Sequence, residues 1–253
     1  MRISEKDWIN FKDRLASISQ KAADLMTEFV EKNGGYQNIP VDEVIEYANA
    51  LAQKYGEAAG TWAALMYDAI AELSNANVEP AEVADTATYS EVAKAVQGAA
   101  KFSHEAAVIG AAVGRLVKMT GQDTMVKNAI RDRAMIAWVP MGDTCAYCLM
   151  LAAEGWKRAS KDALQDGHSK HIHGNCDCSY SVRFDEDTQV GGYNPNRYMR
   201  MYSAADGTTQ EEKLNAMRRE FYAENSEEIN AQKRSAYEKR KERKSSSAEE
   251  LNI

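Results

Sequence analysis

Ala134-Met-Ile-Ala-Trp-Val139, then Pro140-Met-Gly-Asp-Thr-Cys145-Ala-Tyr-Cys148, and further on His171-Ile-His173-Gly-Asn-Cys176-Asp-Cys178 running into Ser179-Tyr-Ser-Val-Arg-Phe184, decide how this chain is read. The first run is short, apolar and β-prone, and Pro140 stops it, so it reads as a strand. Cys145 to Glu154 reads as a short helix, with Asp143 or Thr144 as its cap. Ser179 to Phe184 alternates as a strand does. All 4 cysteines of the chain, and three of its 4 histidines, fall inside this segment.

Outward from it the texture is helical. Ser4 with Asp7 resembles a capping box. Trp8, Phe11, Leu15, Ile18, Ala22, Leu25 and Phe29 then recur in steps of three and four, which predicts a helix with one apolar stripe, packed on another helix and ended by Gly34-Gly35. A second helix is expected from Val41 to Asn75, with Pro40 at its start and Gly56 and Gly60 as possible breaks. Asn77 to Ala87, with Pro80, reads as a loop or linker. Further helices are expected at Ser90–Gln97, Ser103–Met119 and Gln122–Arg131, the small residues of Ala106 to Gly114 allowing close packing. Gly191 to Asn196 reads as a loop and Pro195 to Tyr202 as a short helix. From Thr209 the chain is highly charged and reads as a solvent-exposed helix fraying into a disordered tail. The expected fold is therefore mainly α with a small α+β element, in three regions: 1–131, 132–207 and 208–253.

With 253 residues and a 44% hydrophobic fraction the chain can bury a sizeable core. A net charge of −7 argues against a whole-surface DNA binder. Lys233 to Lys244, with seven cations against two glutamates, is the one strongly basic stretch and could touch DNA phosphates; a solvated helix end is the plainer reading. Ala106 to Val117, the longest apolar stretch, contains Arg115 and is too short to span a bilayer. No signal-peptide pattern opens the sequence, so the expectation is a soluble protein made in the cytoplasm, where clustered cysteines serve more often as metal ligands or redox groups than as disulfides.

Zinc takes four sulfur or nitrogen ligands in a tetrahedron. The Cys145/Cys148 turn offers two sulfurs on one side, and His171, His173, Cys176 and Cys178 are candidates for the rest. A regular strand through Cys176-Asp-Cys178 would send both sulfurs to one face; a turn at Gly174-Asn175 would bring His173 in instead. Cys145, Cys148 and Cys176 form the core of the set, with His173 and Cys178 competing for the fourth place and His168 and His171 outside it. A closed four-ligand site is structural, not catalytic. The plainer alternative is thiols packed in a small core or oxidised to disulfides. A C-x-x-C at a helix start after a strand also suits a redox dithiol, although the upstream chain lacks a βαβ frame.

Trp138-Val-Pro-Met-Gly-Asp-Thr-Cys-Ala-Tyr-Cys-Leu-Met-Leu-Ala152, with His173-Gly-Asn-Cys-Asp-Cys178 and the strand after it, resembles the Mu F-like head morphogenesis proteins, the minor capsid proteins of tailed phages. The pattern falls on Gly142, Asp143, Cys145, Cys148, His173, Cys176 and Cys178, and covers about Arg131 to Phe184. His171 is an addition to it. The resemblance implies a non-enzymatic head component of a phage or prophage, working inside the head with portal and capsid or scaffold proteins, some relatives contacting packaged DNA. Two enzymatic alternatives lack residues they need. A zinc deaminase needs H-x-E with P-C-x-x-C; there is no H-x-E, and Thr144 precedes Cys145. A His-metal nuclease would need a further histidine downstream, and none follows His173. A bare helical interaction module is the third alternative.

Overall fold

The computed structural model describes residues 2–140, 145–160, 178–224 and 226–227. Helix α1 (Glu5–Lys32) begins where Ser4 Oγ accepts from the Asp7 amide at 3.0 Å and donates to the Asp7 carboxylate at 2.5 Å. Its buried positions are Trp8, Phe11, Lys12, Leu15, Ser19, Ala22, Ala23, Met26 and Val30. Ile18, Leu25 and Phe29 are only partly buried. The expected stripe thus starts correctly and then drifts: a 3.5-residue repeat suits a supercoiled seam, whereas a straight helix rotates its buried face at 3.6 residues per turn. Gly34 (φ 78°) and Gly35 (φ 104°) end the helix as expected.

Helix α2 (Val41–Leu73) is continuous through Gly56 and Gly60, which are not breaks. A Cβ on Gly60 would overlap Val83 and stand 3.2 Å from Thr124 Oγ1; one on Gly56 would stand 3.0 Å from Thr86 Cγ2 and 3.2 Å from Thr120 Oγ1. Both glycines let neighbouring chain come close. That neighbour is in part residues 76–88, which form a loop, as expected, but one fastened to the bundle as a strap. Its amides at Glu82 and Ala84 donate to Asn128 Oδ1 (2.9 Å) and Thr124 Oγ1 (3.0 Å), and Arg131 donates to the carbonyls of Glu79 (2.6 Å) and Pro80 (2.9 Å).

Helix α3 (Tyr89–Phe102) opens with a full capping box between Thr88 and Glu91 and runs past the expected end at Gln97. Helix α4 (Ala106–Arg131) joins what the sequence divides at Thr120-Gly121. It is the central helix, packed on α1, α2 and α3. Gly110 and Gly114 seat it against the α1 backbone, as the small residues there suggested.

The strands follow. β2 (Met135–Val139) is antiparallel to β3 (Lys157–Arg158) on one side and to β4 (Ser179–Arg183) on the other, in the order β3-β2-β4. β1 (Arg2–Ile3) pairs in parallel with β5 (Gln189–Val190), fastening the start of α1 to chain beyond the cysteine segment. α5 (Ala146–Ala153) lies between β2 and β3 in sequence, and α6 (Pro195–Ala204), capped by Asn194, packs on it. α7 (Gln210–Glu224) is not wholly solvent-exposed: Leu214 and Met217 are buried in the common core and the helix packs on α5. One hydrophobic cluster runs from Ile3 through the helices and the sheet to Met217. Mainly helical with a small sheet, the fold agrees with the expectation to that extent. Among the described residues, no helix is long and apolar enough to cross a membrane.

Candidate metal or thiol site

The site is built at the end of the three-stranded sheet where β2 leaves it. Val139 pairs with Ser179, so the chain leaves β2 at Pro140 beside the point where Cys178 leads into β4. Three devices hold that end. Trp138 and Tyr180 are cross-strand partners whose rings meet edge-to-face at 4.8 Å, a favoured aromatic arrangement. Gln122 of α4, itself 1% exposed, donates to Ser179 Oγ at 2.9 Å and accepts from the Tyr180 amide at 2.8 Å. That amide belongs to the outer edge of β4, so Gln122 satisfies backbone that would otherwise be buried and unpaired. Pro140, lacking an N–H, ends the ladder.

Six residues after Pro140 α5 begins, and its N-cap is Cys145, not Asp143 or Thr144. The Cys145 backbone is extended (φ −65°, ψ 154°) and its carbonyl accepts from Leu149 N at 3.1 Å. Cys148 is then the third helical residue. Cys145 is partly exposed, and Cys148 and Cys178 are 3% and 2% exposed. Tyr147 lies between the first two: burial raises the pKa of its hydroxyl, with Cys148, Glu154 and Cys145 adding to the shift. Burial likewise raises Tyr198 on α6; Arg197 opposes this and Cys178 contributes to it, which places Cys178 on the α6 side.

Of the sequence-derived ligands, Cys145, Cys148 and Cys178 are described; Cys148 and Cys178 belong to the common hydrophobic core and Cys145 packs against it. His173 and Cys176 lie outside the described residues, as do Gly142, Asp143, His168, His171 and Lys233 to Lys244. Among the described residues no group of three His, Cys, Asp or Glu side chains is disposed to hold a metal ion. Cys145 and Cys148 fit as two sulfur donors of a zinc-type site, because cap and third helical residue project to the same side of the first turn. Such a site needs further donors from the segment that ends at Cys178.

Gln122 and the Trp138–Tyr180 pair did not emerge from the sequence. Gln122 carries no signal of its own in the sequence, being one of several polar residues in the second half of α4. Among the described residues, clefts lie elsewhere. One, of about 510 Å³, lies between the strap, α3 and α4, and includes Glu91, Lys94, Arg115 and Asp123. Another, of about 350 Å³, includes Trp156, Arg183, Tyr193 and Pro195, with the Arg183 guanidinium 4.9 Å from the Trp156 ring centre.

No curated protein and no solved structure matches the chain. A protein-family model, described as VG15 protein, matches residues 2–205, a span that takes in the helical bundle, the sheet and the whole cysteine segment and stops at the end of α6. The chain therefore belongs to the VG15 protein family, a family of phage proteins.

Proposed function

We propose that this protein is a structural minor head component of a tailed phage or prophage, acting in head assembly near the portal, with its cysteine corner held by a structural zinc ion. The observation that carries the reading is the phage-family match over residues 2–205, within which Cys145 and Cys148 open the helix that follows β2. The resemblance to Mu F-like head morphogenesis proteins supplies the finer role. The helical body supports it, since long packed helices present extended surfaces for assembly partners, here portal and capsid or scaffold proteins. Its place of work is the inside of the virion head, after synthesis in the host cytoplasm. No catalytic role is assigned to any residue. The basic stretch Lys233 to Lys244 is a possible non-specific DNA contact through phosphate neutralisation.

In the metal reading Cys145, Cys148 and Cys176 are ligands, with His173 or Cys178 completing the set. Zinc would then act as a staple whose binding energy is folding energy, joining α5 to the approach to β4. Elemental analysis of the full chain purified without added metal or chelator tests this half: about one zinc per chain is expected, and no zinc with four titratable thiols overturns it. Deletion of the gene tests the assembly half. Loss or malformation of heads, restored by the wild-type gene, is expected; normal yields of infectious, filled particles would refute it.

A further inference from the structure

Cys145 and Cys148 are the N-cap and third residue of α5, and two other helices show what that spacing does. Ser4 Oγ lies 2.5 Å from Asp7 Oδ2 at the start of α1, and Thr88 Oγ1 lies 2.8 Å from Glu91 Oε2 at the start of α3. Cys145 shares their backbone: φ and ψ are −65° and 154°, against −63° and 148° at Ser4 and −67° and 157° at Thr88. Its carbonyl accepts from the fourth residue on at 3.1 Å, as those of Ser4 (3.1 Å) and Thr88 (3.0 Å) do. Cap and third-residue side chains meet over the first turn of α1 and α3; at α5 the cap backbone is the same, and the Cys145 side chain, which does not take up the Cys148 amide, reaches the same turn by rotation about its Cα–Cβ bond. Helix geometry puts α-carbons three residues apart at about 5 Å, inside the roughly 4.4–6.8 Å that a disulfide spans. Burial then separates the two thiols: Cys145 is partly exposed, while Cys148 is 3% exposed.

We infer that Cys145 and Cys148 form a reversible disulfide by exchange with a small-molecule disulfide, Cys145 being the entry sulfur, and that this bond and metal ligation are alternative states of one corner. The first half stands on the helix geometry alone; the second rests on the zinc reading proposed above. The reaction has two steps. The Cys145 sulfur attacks the small disulfide, forming a mixed disulfide and releasing one small thiol, which takes the proton Cys145 gives up. The Cys148 sulfur then attacks the Cys145 sulfur, closing the protein disulfide and releasing the second small thiol with the second proton. Two protein thiols are oxidised and one small disulfide is reduced. A reducing compartment would leave the pair available to metal; an oxidising one would replace the metal staple by a covalent clasp across the first turn of α5.

The test uses the full-length chain, stripped with a chelator, equilibrated with graded mixtures of oxidised and reduced glutathione, trapped with acid and mapped by mass spectrometry. The peptide carrying Cys145 and Cys148 is expected to lose two hydrogens as the mixture becomes oxidising and to regain them on reversal. In Cys148→Ser, a glutathione adduct should remain on Cys145; in Cys145→Ser, the Cys148 adduct should be absent or at least tenfold slower to form. Far-UV circular dichroism of each variant establishes that the helical body is retained. A main product joining Cys148 to Cys176 or Cys178, first attack at Cys148, or a pair that stays reduced while small dithiols oxidise would overturn the inference. A parallel sample given one equivalent of zinc separates the two readings. Zinc uptake with protection from oxidation is expected. Closure of the pair without any zinc uptake refutes the metal reading and leaves the disulfide; zinc uptake with no closure in the stripped chain does the reverse.

Discussion

Replacing Gly110 by alanine tests how α4 is seated against α1. An added Cβ would lie 2.5 Å from the Ala23 carbonyl oxygen and overlap Thr27 Oγ1. Thr27 can rotate only by giving up its 2.8 Å bond to that same carbonyl. The carbonyl belongs to the α1 backbone and cannot turn aside. The helices must part by up to about 0.9 Å to regain the 3.4 Å at which ordinary contact begins. Overpacking of this kind costs ~1–3 kcal/mol, while alanine in a helix interior recovers ~0.5–1 kcal/mol. The net expectation is about 1–2 kcal/mol of destabilisation, or roughly 2–8 °C in Tm for a chain of this size. Gly98 is the control, lying inside α3 with nothing within 4 Å of its would-be Cβ. Gly98→Ala should stabilise by ~0.5–1 kcal/mol through the same propensity term. Thermal and urea unfolding followed by circular dichroism read both. A Gly110→Ala variant as stable as wild type, or a Gly98→Ala variant that loses stability equally, would refute the close approach of α4 to α1.

Gln122→Leu removes both bonds to β4 and leaves the Tyr180 amide buried without an acceptor, at a cost of ~1–3 kcal/mol; hydrogen exchange at Tyr180 should accelerate, and unchanged protection there would count against the edge-capping role. Arg131→Met takes away the donors to the Glu79 and Pro80 carbonyls, so limited proteolysis should cut within residues 76–88 well before wild type, and an unaltered cleavage pattern would mean that the strap is held without it. Burial opposes ionisation of Asp132, but hydrogen bonds from Arg131 and Tyr67 outweigh it and hold the carboxyl below its ordinary value. A depressed folded-state pKa contributes stability that is complete above the unfolded value, about 3.9, and is lost as pH falls through the folded one; Asp132→Asn should therefore flatten the acid limb of the stability curve below about pH 4, and an identical acid limb would contradict the assignment.

The parts of this fold that are legible in the sequence are those written in local pattern. The start of α1, the strands on either side of the cysteine segment and α6 after Asn194-Pro195 all follow from caps, periodicity and proline. What was misread depends on distant partners. Gly56, Gly60 and Gly121 look like helix breakers because glycine lowers helix propensity; their reason for being there is the approach of the strap, α4, or Leu15 on α1. Residues 76–88 read as a loop or linker and do form a loop, but their fastening is invisible in the sequence because their hydrogen-bond partners, Thr124, Asn128 and Arg131, lie along two turns of another element. β1 and β3 hold two residues each, too few for any period, and Arg2 finds its partner at Gln189. At the site, the strand before the cysteines and the helix that follows were legible from apolar run, proline and pattern. Gln122, which holds the edge of β4, carries no motif.

The most direct measurement is the distribution of this protein across a density gradient of particles from a lysate of the phage or induced prophage, quantified by mass spectrometry against portal and major capsid proteins. The account predicts that it travels with heads, in few copies relative to the major capsid protein, and stays with them after nuclease treatment. Finding it only in the slow-sedimenting fraction, absent from heads at every stage of assembly, would contradict a structural role in the head.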